Sequence, residues 1–400
     1  MAEHELVAFG DVEPASLQQL ERCLDVSGES SRGVLCADHH KGYSMPIGGV
    51  VASDQVVIPA GVGYDIGCGN CAVQTPIKAA DVDVAKAMDE IWRTISFGMG
   101  RTNDERVADH PVFDAIAHSP VAGQRKQLAN ARGQLGTVGG GNHYVDLFED
   151  RADGSLWIGV HFGSRGLGHK TAQGFLSLAS GRHWDERPND SMDARPSTIA
   201  LGTPLADDYL AAMNIAGEYA YAGRDWVVDR VLKILQTQAM RRVHNHHNFA
   251  WWEDHDSKKM LVIRKGATPA FPGQQGFIGG SMGDDAVIVE GVDSAASRAA
   301  LYSTVHGAGR VMSRTQAAGK FNCRTGRQTS RGVVNWPKWQ EQLKAKGIEL
   351  RGGGPDEAPE CYKRLSEVLA AHAGTIKVLH ILRPIGVAMA GKDTFDPYRD

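Results

Sequence analysis

Cysteine is scarce. Only Cys23, Cys36, Cys68, Cys71, Cys323 and Cys361 occur in 400 residues, too few for a disulfide framework, which leaves metal binding or plain burial as their uses. Long apolar runs are missing too. No stretch approaches the roughly 18–20 uninterrupted apolar residues of a membrane span, and the opening MAEHELVAFGDVEP is acidic, with no basic flank before an apolar run. The expectation is a soluble, cytoplasmic protein with no membrane partner. Basic excess is absent as well: 43 Lys and Arg against 47 Asp and Glu give a net charge of -4. Any phosphate binding must therefore come from local clusters. Repeats and low-complexity linkers are also lacking, so nothing divides the chain.

Glycine is what the sequence has in excess. Its 47 residues gather in short runs beside His, Asn, Ser and Arg, where backbone amides can approach an anion closely. Apolar spacing predicts a short helix over 17–24, helices over 82–95 and 124–135, and a long helix over 205–242. Short apolar runs between 33 and 75, and at 144–149, 156–163, 259–264 and 286–290, read as strands. Residues 183–198 read as an exposed loop and 317–340 as basic and irregular. The His-bearing glycine segments are scattered from 38 to 310, so one site must be assembled from the whole length. A single large mixed domain over 1–400 is expected.

Six segments carry chemistry. In VIPAGVGYDIGCG, Asp65 and Cys68 stand three apart in a glycine-flanked loop, a carboxylate and a thiolate that can turn toward one ion, with a thiolate able to bridge two. The plain alternative is a turn-capping Asp and a buried Cys. Cys71 completes a lone CxxC and reads as structural. In GTVGGGNHYVDLFE, Asn142 and His143 follow three glycines at a strand entrance; in GVHFGSRGLGHK, His161 ends a strand before Arg165, a side chain suited to bidentate phosphate binding. A satisfied, half-buried imidazole is the commoner fate of any single His. RRVHNHHNFAWWE places His244, His246 and His247 beside Asn245 and Asn248. RKGATPAFPGQQGFIGGSMG joins Arg264 and Lys265 to a Gly-Gly-Ser turn, a phosphate cradle in chemistry but without P-loop spacing. In STVHGAGRVMSR, His306 precedes a Gly-Ala-Gly turn, and Arg310 and Arg314 share one face if a helix starts there. A neutral imidazole among cations suits a phosphoryl or nucleotidyl acceptor; a structural His before a helix is the alternative.

Taken in order, DHHKG, IPAGVGYDIGCG, GTVGGGNH, HFGSRGLG, HHNF, RKGAT, GGSMG and HGAGRVMSR resemble the signature segments of the RtcB family of RNA-splicing ligases, from about Asp38 to Gly391. The resemblance implies an α+β RtcB-like fold with a central metal and nucleotide cleft, residues from about 392 to 400 forming a C-terminal extension. It implies that Asp65, Cys68, His143, His161 and His247 bind two Mn2+ ions with Cys68 bridging, and that His306 attacks GTP and becomes guanylylated. Asn142, Asp146, His247, Asn248, Gly280, Ser281, Met282, Gly307, Ala308, Gly309 and Tyr362 would line the nucleotide site with His306. Arg165, Arg310 and Arg314 would hold RNA or nucleotide phosphate. The implied reaction opens a 2′,3′-cyclic phosphate to a 3′-phosphate, transfers GMP to it from His306, and lets a 5′-hydroxyl displace GMP. The softness of a Cys and His donor set suits zinc as well, so manganese rests on the resemblance alone.

The chain departs from that pattern at three places. Ala390-Gly391 stands where family members end in Lys-Gly, with Lys392 as a shifted substitute for the guanine-reading Lys; Asp146 replaces a Glu; and HHK at 39–41 varies Asp-Val-His-x-Gly. These suggest a divergent branch, devoted to RNA repair instead of tRNA splicing. An accessory activator is compatible with the family and is not indicated by the residues. Two other functions compete: a metal-dependent cyclic-phosphate phosphodiesterase that has lost guanylylation, and an RNA-binding factor using the Arg cluster.

Overall fold

The computed structural model describes residues 4–188, 191–321 and 328–391. Two sheets carry the fold. The smaller one runs Glu5–Ala8, Arg32–His40, Ile47–Ser53, Lys258–Lys265, Asn248–His255 in spatial order. The larger runs Gln275–Ile278, Ala286–Gly291, Ile376–Gly391, Tyr144–Asp150, Ser155–Phe162, Gly69–Lys78, Arg241–His246, with Glu349–Gly353 lying parallel to Ile376–Gly391. Strands and helices mix along the chain in one body, as α+β requires.

The larger sheet is covered on both faces, and side-chain alternation decides which residue goes where. Cys71, Val73, Val145, Leu147, Ile158 and Val160 face the helices Val84–Thr94 and Pro204–Ile234 through Met88, Ile91, Val227 and Val231. Their neighbours Ala72, Tyr144, Phe148 and Trp157 face Phe277, Ile288, Trp336 and Leu343. Because both faces are dry, LWIGVHF reads as one apolar run with no polar alternation. Each Val, Leu, Ile or Phe side chain among them, fully buried, contributes roughly 1.5–3 kcal/mol of transfer free energy.

Register then gathers the site. Four adjacent strands of this sheet are antiparallel, and the row Tyr144, His161, Asn70, Asn245 is paired across them. Antiparallel neighbours alternately begin and end at the same edge. His143 therefore precedes one strand, His161 lies one residue from the end of the next, Cys68 precedes the third and His247 follows the fourth. At His247 the chain also leaves this sheet for Asn248–His255 of the other.

Several elements differ from the sequence expectation. The long helix is Pro204–Ile234 and stops short of 242, because Gln236 takes a left-handed φ of 52° and the amides of Gln236 and Thr237 return to the carbonyls of Lys233 and Leu232. That is a Schellman stop built on Gln, where glycine is the usual signal. Arg241–His246 is then free to be a strand. The helix expected over 124–135 divides into Ala122–Arg125 and Leu128–Gln134; Arg125 folds back on the Ser119 and Pro120 carbonyls and pins the first turn. Within the stretch read as irregular, Trp336–Ala345 is a helix whose N-terminus is capped by the Asn335 side chain.

Candidate active site

At the shared strand edge, imidazoles, a carboxylate and the Cys68 sulfur converge. Cys68 Sγ lies 3.4 Å from His161 Nε2 and 3.6 Å from His143 Nε2. His143 Nε2 is 3.1 Å from Asp65 Oδ2, and His161 Nε2 is 3.4 Å from His247 Nε2. Two donor triads result, Asp65, Cys68 and His143, and Cys68, His161 and His247, each with its ligand atoms within 4.8 Å of one another and sharing Cys68. His143 Nδ1 lies 3.0 Å from the Val138 carbonyl and His161 Nδ1 lies 3.1 Å from that of Asn142. A carbonyl only accepts, so His161 carries its proton on Nδ1 and its Nε2 lone pair points inward, whereas His143 Nε2 faces the Asp65 carboxylate and its Nδ1 also has Arg165 Nη1 at 3.2 Å. A ring whose Nδ1–H is held by a backbone carbonyl is oriented as metal-ligating imidazoles are. Burial would push the Asp65 carboxyl up, yet the hydrogen bond and charge of His143, with Arg165, hold it down at about 2. Burial and neighbouring imidazoles keep His161 and His247 neutral, as ligands must be. The donor set thus fits divalent metal binding, with Cys68 common to both triads.

A second cluster, Cys71, Asp225 and His244, also lies within 4.8 Å but is engaged otherwise. Arg224 Nε donates to His244 Nε2 at 2.7 Å, which places the imidazole proton on Nδ1, 3.5 Å from Asp225. Neither ring nitrogen then offers a lone pair to a metal. Arg224, fully buried, also donates to the carbonyls of Gly67 and Phe162 at 2.9 and 2.5 Å. These are the residues next to Cys68 and His161, so the guanidinium ties both ligand-bearing backbones together. Of the three histidines in HNHH, only His247 joins the donor set.

His306 stands beside this cluster, its ring centroid 4.7 Å from that of His247. Asp38 is wholly buried and accepts from His306 Nδ1 at 2.7 Å. Burial raises its pKa, but the charge and hydrogen bonds of His306 outweigh that and hold Asp38 ionised. His306 thus keeps its proton on Nδ1 and presents Nε2 as a nucleophile. Gly309 is needed here, because at its φ of 76° a Cβ would sit 2.1 Å from the Asp38 carbonyl oxygen. Sequence reading passed over Asp38, although it opens the DHHKG segment; an Asp far from His306 in the chain carries no local signal of the pairing.

One cavity of about 1510 Å³ is lined by all five donor residues and His306, and by Asn142, Asp146, Asn248, Gly280, Ser281, Met282, Gly307, Ala308, Gly309, Arg310, Arg314 and Tyr362. Asp146 is buried with Oδ1 unpartnered among the described residues, and burial pushes its carboxyl well up. Asn248 bonds the Asp65 carbonyl and the Gly266 amide, bracing the ligand loop. Arg310 and Arg314 do not share a helical face, because the helix begins only at Arg314. They converge instead on one carboxylate: Arg314 pairs with Glu357 and Asp356, Tyr362 donates to Glu357, and Arg310 donates to the Tyr362 hydroxyl at 2.9 Å while lying 5.0 Å above its ring. Arg165 stands behind His143, packed on Gly139, where any Cβ would overlap its guanidinium. Lys392 lies outside the described residues. Arg264 and Lys265 form no phosphate cradle in this structure: Arg264 is buried in a fork with Glu253, and Lys265 donates to the Tyr43 and Met45 carbonyls.

Comparison with known proteins points to one family. A family profile described as tRNA-splicing ligase RtcB matches residues 19–122 and 114–390. The chain is 33% identical over 381 residues to the RNA-splicing ligase RtcB1 of Escherichia coli strain ATCC 25922, covering 87% of each chain. It is 32% identical to the RNA-splicing ligase RtcB of Escherichia coli K12, again covering 87% of each. It is 29% identical to the tRNA-splicing ligase RtcB of Archaeoglobus fulgidus, covering 94% of this chain and 91% of the relative.

Proposed function

The chain belongs to the RtcB tRNA-splicing ligase family, and on that premise we propose that it is a GTP- and manganese-dependent RNA ligase. It would join RNA ends bearing a 3′-phosphate or 2′,3′-cyclic phosphate to ends bearing a 5′-hydroxyl, in tRNA splicing or RNA repair. The observation that carries this reading is the Asp38–His306 pair set against the Asp65, Cys68, His143, His161 and His247 cluster. A nucleophile with one fixed proton beside a phosphate-polarising centre is what nucleotidyl transfer needs.

In the proposed sequence, water first opens any cyclic phosphate to a 3′-phosphate. His306 Nε2 attacks the α-phosphorus of GTP, pyrophosphate leaves, and a phosphoramidate holds GMP on the imidazole. Asp38 stabilises the positive charge that the ring acquires. An oxygen of the RNA 3′-phosphate then displaces the imidazole, which gives that phosphate a leaving group. The 5′-hydroxyl oxygen attacks the RNA phosphorus, GMP departs and a 3′,5′-phosphodiester remains. Bound metal ions would supply charge neutralisation at the phosphoryl oxygens. Gly280, Ser281, Met282 and the 307–309 turn are suited to the guanylate, Tyr362 to its base, and Asp146 to the donors on the guanine edge. Asn142, Arg165, Arg310 and Arg314 are suited to phosphate.

Two broken stem-loops with a 5′-hydroxyl, one ending in a 3′-phosphate and one in a 2′,3′-cyclic phosphate, incubated with manganese and either GTP or ATP, test the reading. Joining with GTP is expected. Opening of a cyclic phosphate without joining under any condition would favour a phosphodiesterase.

A further inference from the structure

The DHHKG segment brings two more imidazoles to the cavity wall, His39 and His40, and the donor cluster uses neither. His39 is spent on the backbone: its Nδ1 donates to the Cys36 carbonyl at 2.6 Å and its Nε2 accepts the Glu13 amide at 2.9 Å. His40 is different. Its Nδ1 lies 3.4 Å from the Asp38 carbonyl, an acceptor only, so the ring proton sits on Nδ1. Nε2 keeps its lone pair and has no hydrogen-bond partner among the described residues. Asp38 thus orients two rings of one cavity, His306 through its carboxylate and His40 through its backbone oxygen. Burial holds His40 neutral, and the neighbouring His306 and Arg310 charges act in the same direction.

The joining step of the proposed reaction needs a proton acceptor. A 5′-hydroxyl that attacks phosphorus must lose its proton, whereas GMP departs as a phosphate anion and needs none. A neutral imidazole with a free Nε2 in the same cavity as the nucleophilic His306 meets that need. We propose that His40 is the general base of the joining step, its Nε2 taking the 5′-hydroxyl proton as O5′ bonds to the RNA phosphorus. The bond from phosphorus to the GMP oxygen breaks, GMP carries away its electron pair, and the proton on His40 passes to water. This assignment rests on the RNA-ligase reading above and adds a residue to its last step. Bound RNA and guanylate phosphates favour a protonated ring nearby, so the base strengthens when its substrate is in place.

The test follows three species in single-turnover reactions of the full chain with manganese, α-labelled GTP and the 3′-phosphate stem-loop: GMP on His306, RNA capped with GMP, and joined RNA. His40→Asn keeps an N–H for the Asp38 carbonyl and removes Nε2; His40→Gln places near Nε2 an amide that takes no proton. Each is expected to label His306 and cap the RNA at the unaltered rates, to accumulate capped RNA, and to join it roughly 10²- to 10⁴-fold more slowly. Labelling of His306 also reports that the variants are folded. Joining at the unaltered rate in either variant overturns the assignment, as does a loss of His306 labelling that parallels the loss of joining in both, which would make His40 a support for the His306 turn. If the unaltered chain labels His306 and joins RNA in those cases, the ligase reading survives and the general base alone fails. An unaltered chain that neither labels His306 nor joins RNA overturns both.

Discussion

Asp38 Oδ2 lies 2.7 Å from His306 Nδ1 and also accepts the backbone amides of His306 at 3.0 Å and Gly307 at 3.2 Å. One buried oxygen thereby sets the ring's tautomer, its orientation and the turn that carries it. Asp38→Asn preserves the shape but can donate to Nδ1, turning the proton to Nε2, where attack must occur. Guanylylation should slow on the order of 10³- to 10⁴-fold, the scale of a misplaced tautomer in a Ser-His-Asp triad. Rapid-quench measurement of GMP transfer checks it. Because the Asp38 pKa is depressed on folding, its contribution to stability is present above the unfolded value of about 4 and is lost as pH falls through the folded value.

Cys68 belongs to both donor triads, whereas His143 and His247 belong to one each. Calorimetric titration of the metal-free chain with Mn2+ should give two sites. His143→Ala and His247→Ala should each weaken one of them, and Cys68→Ala should weaken both. Identical titrations for all three variants would contradict a sulfur-bridged pair.

Arg224 spans the backbones next to Cys68 and His161 from inside the core. Arg224→Leu leaves two carbonyls and two imidazoles without their donor, and should cost about 3–5 kcal/mol of stability, the scale for breaking a buried charged network. Burial and the Asp65 charge push the Cys68 thiol well up, and the Arg224 charge opposes that rise, so manganese affinity should fall in the same variant. Urea unfolding and metal titration read the two effects separately.

His40, His244 and His246 are held neutral by burial, His40 down at about 3. A histidine depressed on folding contributes stability above its unfolded pKa of about 6.5, and that contribution is lost as pH falls below it, by about 1.4 kcal/mol per unit for each. The metal-free chain should therefore lose stability steeply from pH 6.5 toward 4.5. A urea midpoint that is flat across that window would contradict the buried, neutral state.

Much of this site was legible because its residues occur in short, glycine-bounded segments at strand ends. His143, His161, Cys68 and His247 each announce a strand boundary, and antiparallel register then brings the boundaries to one edge. Pairing across the chain is what local sequence hides. Asp38 and His306 are joined by tertiary packing, and Arg310 and Arg314 find Glu357 across a turn when helical spacing suggested a shared face. Arg264 and Lys265 resembled a phosphate cradle by composition, yet Glu253 and the 43–45 backbone claim them. The Schellman stop at Gln236 was invisible because only its φ, and not its residue type, marks it.

In the proposed mechanism, His306 Nε2 becomes covalently guanylylated. Incubating the chain with manganese and α-labelled GTP, then mapping the label by peptide mass, tests it most directly. One acid-labile GMP on His306 is expected, lost in His306→Ala and strongly slowed in Asp38→Asn. An unlabelled chain that nevertheless joins RNA ends, or a GMP mapped to any other residue, would contradict it.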